Sequence, residues 1–142
     1  MGKAFTVLII MIYLHIFDDF HLQGILASMK QKQWWKDAWE KDSENSGKTE
    51  HEFSFYEKDY IPALIAHSFS WAFTVMIPIL WLMHRNGEVG FDYFFMLIWQ
   101  AFLHGLVDHM KANKRSINLV EDQIYHMIQI LMTWLCYLGI LY

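Results

Sequence analysis

Three pairs of one histidine and one aspartate stand four residues apart in this chain: His15 with Asp19, His104 with Asp108, and Asp122 with His126. Four residues is about one helical turn, so each pair shares a helix face. His67 stands alone inside an apolar run. Neutral imidazoles and carboxylates are the donor set for zinc, iron or manganese. Inward-facing histidine and carboxylate side chains from several helices are how bundles build metal centres. These seven candidates exceed the ligands of one tetrahedral zinc. Either two ions bind, or some carboxylates orient imidazole nitrogens from behind. A further role for one of Asp19, Asp108 or Asp122 is general base toward water at a divalent metal, most simply zinc.

The same residues admit blander readings. A proton or ion relay needs a similar cluster, and a structural polar network needs no ligand at all. One i,i+4 pair is often a helix-surface ion pair; three with matched polarity are harder to explain that way. Asp18 competes with Asp19 for the place facing His15, and the matched spacing favours Asp19. His21, His84 and His109 lie near the ends of apolar runs and read as interfacial. His51 reads as a solvated loop residue. Gln23 and Gln123 are either hydrogen-bonding neighbours of the cluster or interfacial amides. The single cysteine, Cys136, excludes an intramolecular disulfide and reads as a packing residue.

The chain that must position these groups has 142 residues, of which 55% are hydrophobic and 18% aromatic. Its mean hydropathy is only +0.16, so the apolar residues are gathered into blocks between polar connections. The blocks cover 4–26, 61–83, 91–112 and 118–142, each near the ~20 residues of a bilayer crossing. They are apolar all round, where a soluble bundle would show one stripe per helix. Pro62 suits a first helical turn, and Pro78 predicts a kink. The polar connection 29–60 carries Trp34, Trp35 and Trp39, which predict a short amphipathic helix at the headgroup level. The N-terminal run bears His15, Asp18 and Asp19 and no small-residue cleavage site, which argues against a secretory signal. A net charge of -4 without a basic stripe excludes a nucleic-acid partner. The expected fold is all-α: residues 1–142 as one integral-membrane domain, an antiparallel four-helix bundle with an interfacial helix between helices one and two.

Lysine and arginine set the orientation. The first and third connections carry nine of them and the opposite side only Lys3 and Arg85, so both termini are expected outside. All seven candidate groups then fall in the cytoplasmic leaflet. In each pair the histidine is the deeper member, which predicts a histidine layer and an aspartate layer ~6 Å apart along the axis. The halves of the helices away from the cluster look almost wholly apolar apart from Thr6, Thr74 and Thr133, which argues against a continuous transport path.

The motifs His15-x-x-x-Asp19-Phe20-x-x-Gln23, His67, His104-x-x-x-Asp108-x-x-Lys111 and Asp122-Gln123-x-x-His126 together resemble the DUF3307 family. These are small multi-helix membrane proteins of bacteria and their phages, with no assigned activity. The likeness spans nearly the whole chain and departs in the extended, acidic, tryptophan-rich connection. It implies a bacterial inner-membrane location, with phage-encoded members, and names no substrate. The leading functional expectation is metal-dependent hydrolysis of a lipid-linked or membrane-proximal ester or phosphoester, with the bilayer and a membrane-embedded substrate as partners. The alternatives are a proton or divalent-metal transporter, and an envelope protein acting through its tryptophan-rich loop. A homo-oligomer is compatible with each.

Overall fold

The computed structural model describes residues 2–22, 24–46 and 56–141. Gln23, His51 and most of the acidic loop lie outside the described residues. Helix α1 spans Gly2–Phe17 and runs into a π-helical turn, Asp18–Leu22. Two shorter helices come next, α2 (Leu26–Met29) and α3 (Lys32–Ser46). The last three are long: α4 (Tyr60–Asn86), α5 (Phe91–Ala112) and α6 (Leu119–Leu141).

The four long helices pack as a ring, α1 beside α4 and α6, and α5 beside α4 and α6. Neighbours run antiparallel. Trp134 in the second half of α6 donates its indole N–H to the carbonyl of Ala4, near the start of α1, at 2.7 Å. At the other end Lys111 on the last turn of α5 meets Asp122 on the first turn of α6.

Local chemistry fixes the helix ends. Gly87 adopts φ 72 after α4, its N–H bonded to the carbonyl of His84 and that of Glu88 to Met83. This left-handed cap closes the helix where a side chain would be strained. Asn118 and Glu121 form a capping box at the start of α6. The Asn118 carboxamide oxygen accepts from the N–H of Val120 and Glu121, and Glu121 Oε2 accepts from the Asn118 N–H. That box sets the rotation of Asp122, one residue further on.

The first helix departs from expectation. Its apolar pattern predicts helix to residue 26, but regular α geometry ends at Phe17. The π turn holds one extra residue and shifts the faces of the residues after it. Asp18 is consequently buried, at 2% exposure, while Asp19 keeps a half-buried place beside it. Gly24, at φ 48, then turns the chain so that α2 leads back across the end of the bundle. Pro78 is accommodated within α4, which continues to Asn86 rather than stopping near 83.

The interior has two halves. Val7, Met11, Val75, Met76, Ile79, Met83, Tyr93 and Ile130 form an apolar core toward one end. His15, Asp18, His67, His104, Asp108, Asp122 and His126 fill the other, with Trp71 between the two. The outer surface inverts the usual arrangement. Phe5, Phe73, Phe94, Phe95, Ile128 and Leu131 are exposed along the helices. Cys136 is exposed too, and does not pack in the core as its setting suggested, because it falls on the outer face of α6. Two stretches, Gly2–Leu22 and Tyr60–Asn86, are long and apolar enough to cross a bilayer by length and composition. Helices α5 and α6, of 22 and 23 residues, carry acidic groups in their sequences that lower their hydropathy.

Helices α4 and α5 approach closely at Gly105. A Cβ there would stand 2.9 Å from the Ser68 hydroxyl, which already donates to the carbonyl of Leu64. We predict that Gly105→Leu costs ~1–3 kcal/mol through overpacking, read as a lower melting temperature in detergent. Gly105→Ala is expected to be milder, and to be rescued by Ser68→Ala in the double variant.

Candidate metal centre

Asp108 is the hub of the polar half. Its Oδ2 lies 2.8 Å from Nε2 of His67 and 3.4 Å from Nε2 of His104, and its Oδ1 lies 3.8 Å from Nε2 of His126. The two imidazoles of His67 and His104 approach each other at 3.1 Å between Nε2 atoms. All four residues are buried. The backbone offset between histidine and aspartate layers does not carry through to the functional atoms, because the side chains lean toward each other.

Two groups within this cluster can hold a metal ion: His67, His104 and Asp108, and Asp108, Asp122 and His126. At metal–ligand distances of ~2.0–2.2 Å, the ligand atoms of a tetrahedral ion stand ~3.3 Å apart. The first group has edges of 2.8, 3.1 and 3.4 Å, which fits one face of such a tetrahedron. In the second, Asp122 Oδ1 lies 3.5 Å from Nε2 of His126 and has no hydrogen-bond partner among the described residues. Nδ1 of His126 faces the carboxamide oxygen of Gln129 at 3.2 Å. An oxygen there accepts, so Nδ1 carries the hydrogen and Nε2 presents either a lone pair or a second proton to the aspartates. Lone pairs this close in a buried site repel unless protons or cations stand among them.

His15 has a different place. The Trp71 indole N–H donates to its Nδ1 at 2.9 Å, which leaves the ring hydrogen on Nε2, 3.1 Å from the Gln123 carboxamide oxygen. Gln123 then donates to Asp19 Oδ2 at 2.9 Å and to Asp122 Oδ2 at 3.3 Å. Both ring nitrogens of His15 are thus engaged, and His15 and Asp19 stand outside the two ligand groups. Gln123 is a hydrogen-bonding neighbour of the cluster rather than an interfacial amide. Trp71 is the floor of the site. Its ring stacks on His104 at 4.1 Å and meets His15 and His126 near 5.6 and 5.5 Å.

The cluster also holds cations of its own. Lys30, just after α2, donates to Asp108 Oδ2 at 2.7 Å and to Nε2 of His67 at 3.0 Å. Asn113 fixes the backbone there, donating to the carbonyl of Lys30 and accepting from the N–H of Lys32. Lys111 donates to Asp122 Oδ2 at 2.6 Å. Three carboxylates, Asp19, Asp108 and Asp122, stand against the two ammoniums of Lys30 and Lys111.

Sequence reasoning missed Lys30 and Trp71, and ranked Asp18 behind Asp19. In the sequence Lys30 is one of several lysines in a polar connection, and no spacing links it to His67 or Asp108. Asp18 reaches the interior only through the π turn, where it faces His67 and Thr74. The far half of the bundle is also less apolar than expected. Gln100, Gln129, Thr133 and Tyr93 are buried along the α5–α6 seam, with Gln100 donating to the carbonyl of Gln129 at 2.9 Å. Among the interfacial histidines, His109 stacks on Tyr60 at 6.1 Å, while His21 and His84 are exposed.

Fold and site together define a helical bundle with a buried histidine and aspartate cluster able to hold a metal ion. No family model, curated protein or solved structure matches the chain.

Trp71→Phe keeps the floor but removes the only donor to His15 Nδ1 seen among the described residues. It should cost ~1–3 kcal/mol, the penalty for a buried polar atom left unpartnered. Thermal unfolding in detergent, compared with the exposed control Trp81→Phe, checks this.

Proposed function

We propose that this protein is an integral membrane protein that binds a divalent metal, zinc by donor chemistry, and uses it in hydrolysis at the membrane surface. The observation that carries the proposal is the meeting of His67, His104, His126, Asp108 and Asp122, from three helices, on one buried point. A surface of exposed phenylalanine and isoleucine around such a polar core is the arrangement lipid favours. The end of the bundle that holds the site also holds Lys30, Lys32, Lys111, Lys114 and Arg115, which supports a cytoplasmic placement. We also propose a bacterial or phage setting, from the resemblance of the sequence motifs to the DUF3307 family.

A divalent ion in this site would supply Lewis-acid polarisation of an ester or phosphoester oxygen. The chain's own residues divide the remaining work. His67, His104 and Asp108 form the tighter ligand group; Asp122 and His126 complete the second, with Asp108 common to both. Asp19 stands outside both groups and lines the cleft above them, so it is the carboxylate left to accept a proton. His15 and Gln123 hold Asp19 in place. Trp71 and the apolar core beneath it exclude water from below.

Elemental analysis should find one or two equivalents of metal per chain in purified wild type. Asp108→Ala should reduce this by at least tenfold, and His104→Ala should do likewise, both without loss of helicity by circular dichroism. Asp19→Asn should keep the metal and lose hydrolysis of a panel of lipid phosphoesters. Metal-free wild-type protein that refuses added zinc would overturn the proposal.

One observation favours proton or metal transport instead. Asp122, His126, Gln129 and Thr133 run along one face of α6, opposite Asp108, His104, Gln100 and Tyr93 on α5, so polar groups continue from the site toward the other end. Proton flux into proteoliposomes that is lost in Gln100→Leu, with no hydrolytic turnover, would establish that reading in place of the first.

A further inference from the structure

Above the ligand groups lies a polar cleft of about 70 Å³, lined by Asp19, Lys30, Asp108, Lys111, Asp122 and Gln123 together with Phe20 and Leu119. The cleft is small, of a size for a compact group such as a tetrahedral oxyanion. Two ammonium groups reach into it from different segments, Lys30 from the end of α2 and Lys111 from the last turn of α5. Lysine is a common point-charge partner of phosphate.

As it stands, the cleft repels anions. Three carboxylates, Asp19, Asp108 and Asp122, line it against two ammoniums, and both ammoniums are spent on carboxylates at 2.7 and 2.6 Å. The atoms Lys30 touches, Asp108 Oδ2 and Nε2 of His67, are two of the atoms that would ligate a metal. Lys111 likewise holds Asp122, a member of the second group. A divalent ion and these ammoniums therefore compete for the same oxygens. When the ion takes the carboxylates, it drives the like-charged ammoniums off them and changes the sign of the cleft.

We infer that Lys30 and Lys111 form a clamp for a phosphate-type oxyanion that opens for binding only when metal occupies the site beneath. This rests on the metal-binding reading above and gives it a substrate class, the phosphoester rather than the carboxylic ester. The lysines act as place-holders without metal and as anion ligands with it. Each ligand then raises affinity for the other, as linkage requires. Asn113, which grips the backbone of residues 30 and 32, keeps the Lys30 side chain over the cleft in both states.

The test is equilibrium binding, with no catalysis needed. Purified protein in detergent is dialysed against labelled inorganic phosphate, with one equivalent of zinc or with a chelator. In a parallel arm, protein in nanodiscs of phosphatidylcholine with or without phosphatidic acid is examined by native mass spectrometry. Phosphate or phosphatidic acid should bind at least tenfold more tightly with zinc than with chelator. The first ligand alone points to a soluble phosphate, the second alone to a lipid headgroup, and either supports the clamp. The double variant Lys30→Gln/Lys111→Gln should retain zinc, or bind it more tightly, and lose the anion at least tenfold. Should that variant fail to fold by circular dichroism, Lys111→Gln alone, half-exposed at its site, serves in its place. Zinc bound without either anion, or anion binding equal in chelator, overturns the clamp while leaving the metal site. Wild-type protein that takes up no zinc overturns both.

Discussion

Everything at the polar end of this bundle answers to the burial of one carboxylate. Asp108 is about 2% exposed, and a buried charge without partners costs several kcal/mol. Four side chains from four segments meet that cost: Lys30, His67, His104 and His126. Each must be brought to the same point, and several local features of the chain serve that end. The return of α2 over the end of the bundle delivers Lys30. The Asn118 capping box sets the rotation of α6 that presents Asp122 and His126. The close approach at Gly105 lets α4 and α5 place His67 and His104 within 3.1 Å of one another.

The partition of the interior explains why such a cluster can exist in so small a chain. Methionine, valine and isoleucine fill one half of the core without asking for polar partners. Trp71 separates the halves. Its indole face lies against His104 while its N–H satisfies His15. One residue thus supplies apolar packing and a directed hydrogen bond at the same boundary. With the outer surface apolar as well, polar groups are concentrated in one place, where hydrogen bonds and charges act at low dielectric and each is worth more than it would be in water.

That concentration ties function to charge balance. The imidazoles and carboxylates outnumber what two lysines can satisfy, and Asp122 Oδ1 and His104 Nδ1 remain without hydrogen-bond partners among the described residues. A cluster with ligand atoms at coordination spacing is able to hold a cation. The same lysines that make the protein tolerable without the ion stand where an anionic substrate would arrive with it. Stability and chemistry are therefore not separate demands here. The side chains that hold the helices together at this end are those proposed to bind metal and phosphate.

Spacing in the sequence brought out three histidine–aspartate pairs, because an α-helix returns the same face every four residues; two of them, His104 with Asp108 and Asp122 with His126, fall in the groups able to hold a metal, and His15 with Asp19 does not. The sequence also placed α5 at 91–112, between the left-handed Gly87 that closes α4 and a polar turn after Ala112. Spacing could not convey which side chains meet once helices are packed. Asp18 turned inward because of a π turn, whose extra residue breaks the periodicity on which such reasoning depends. Lys30 joined Asp108 across 78 positions of chain, and Gln123 linked His15 to Asp19 across more than a hundred. Such contacts are decided by the three-dimensional path of the chain. Helical periodicity is a local property of the backbone, whereas the pairing of buried charges is settled only when every segment has found its neighbours.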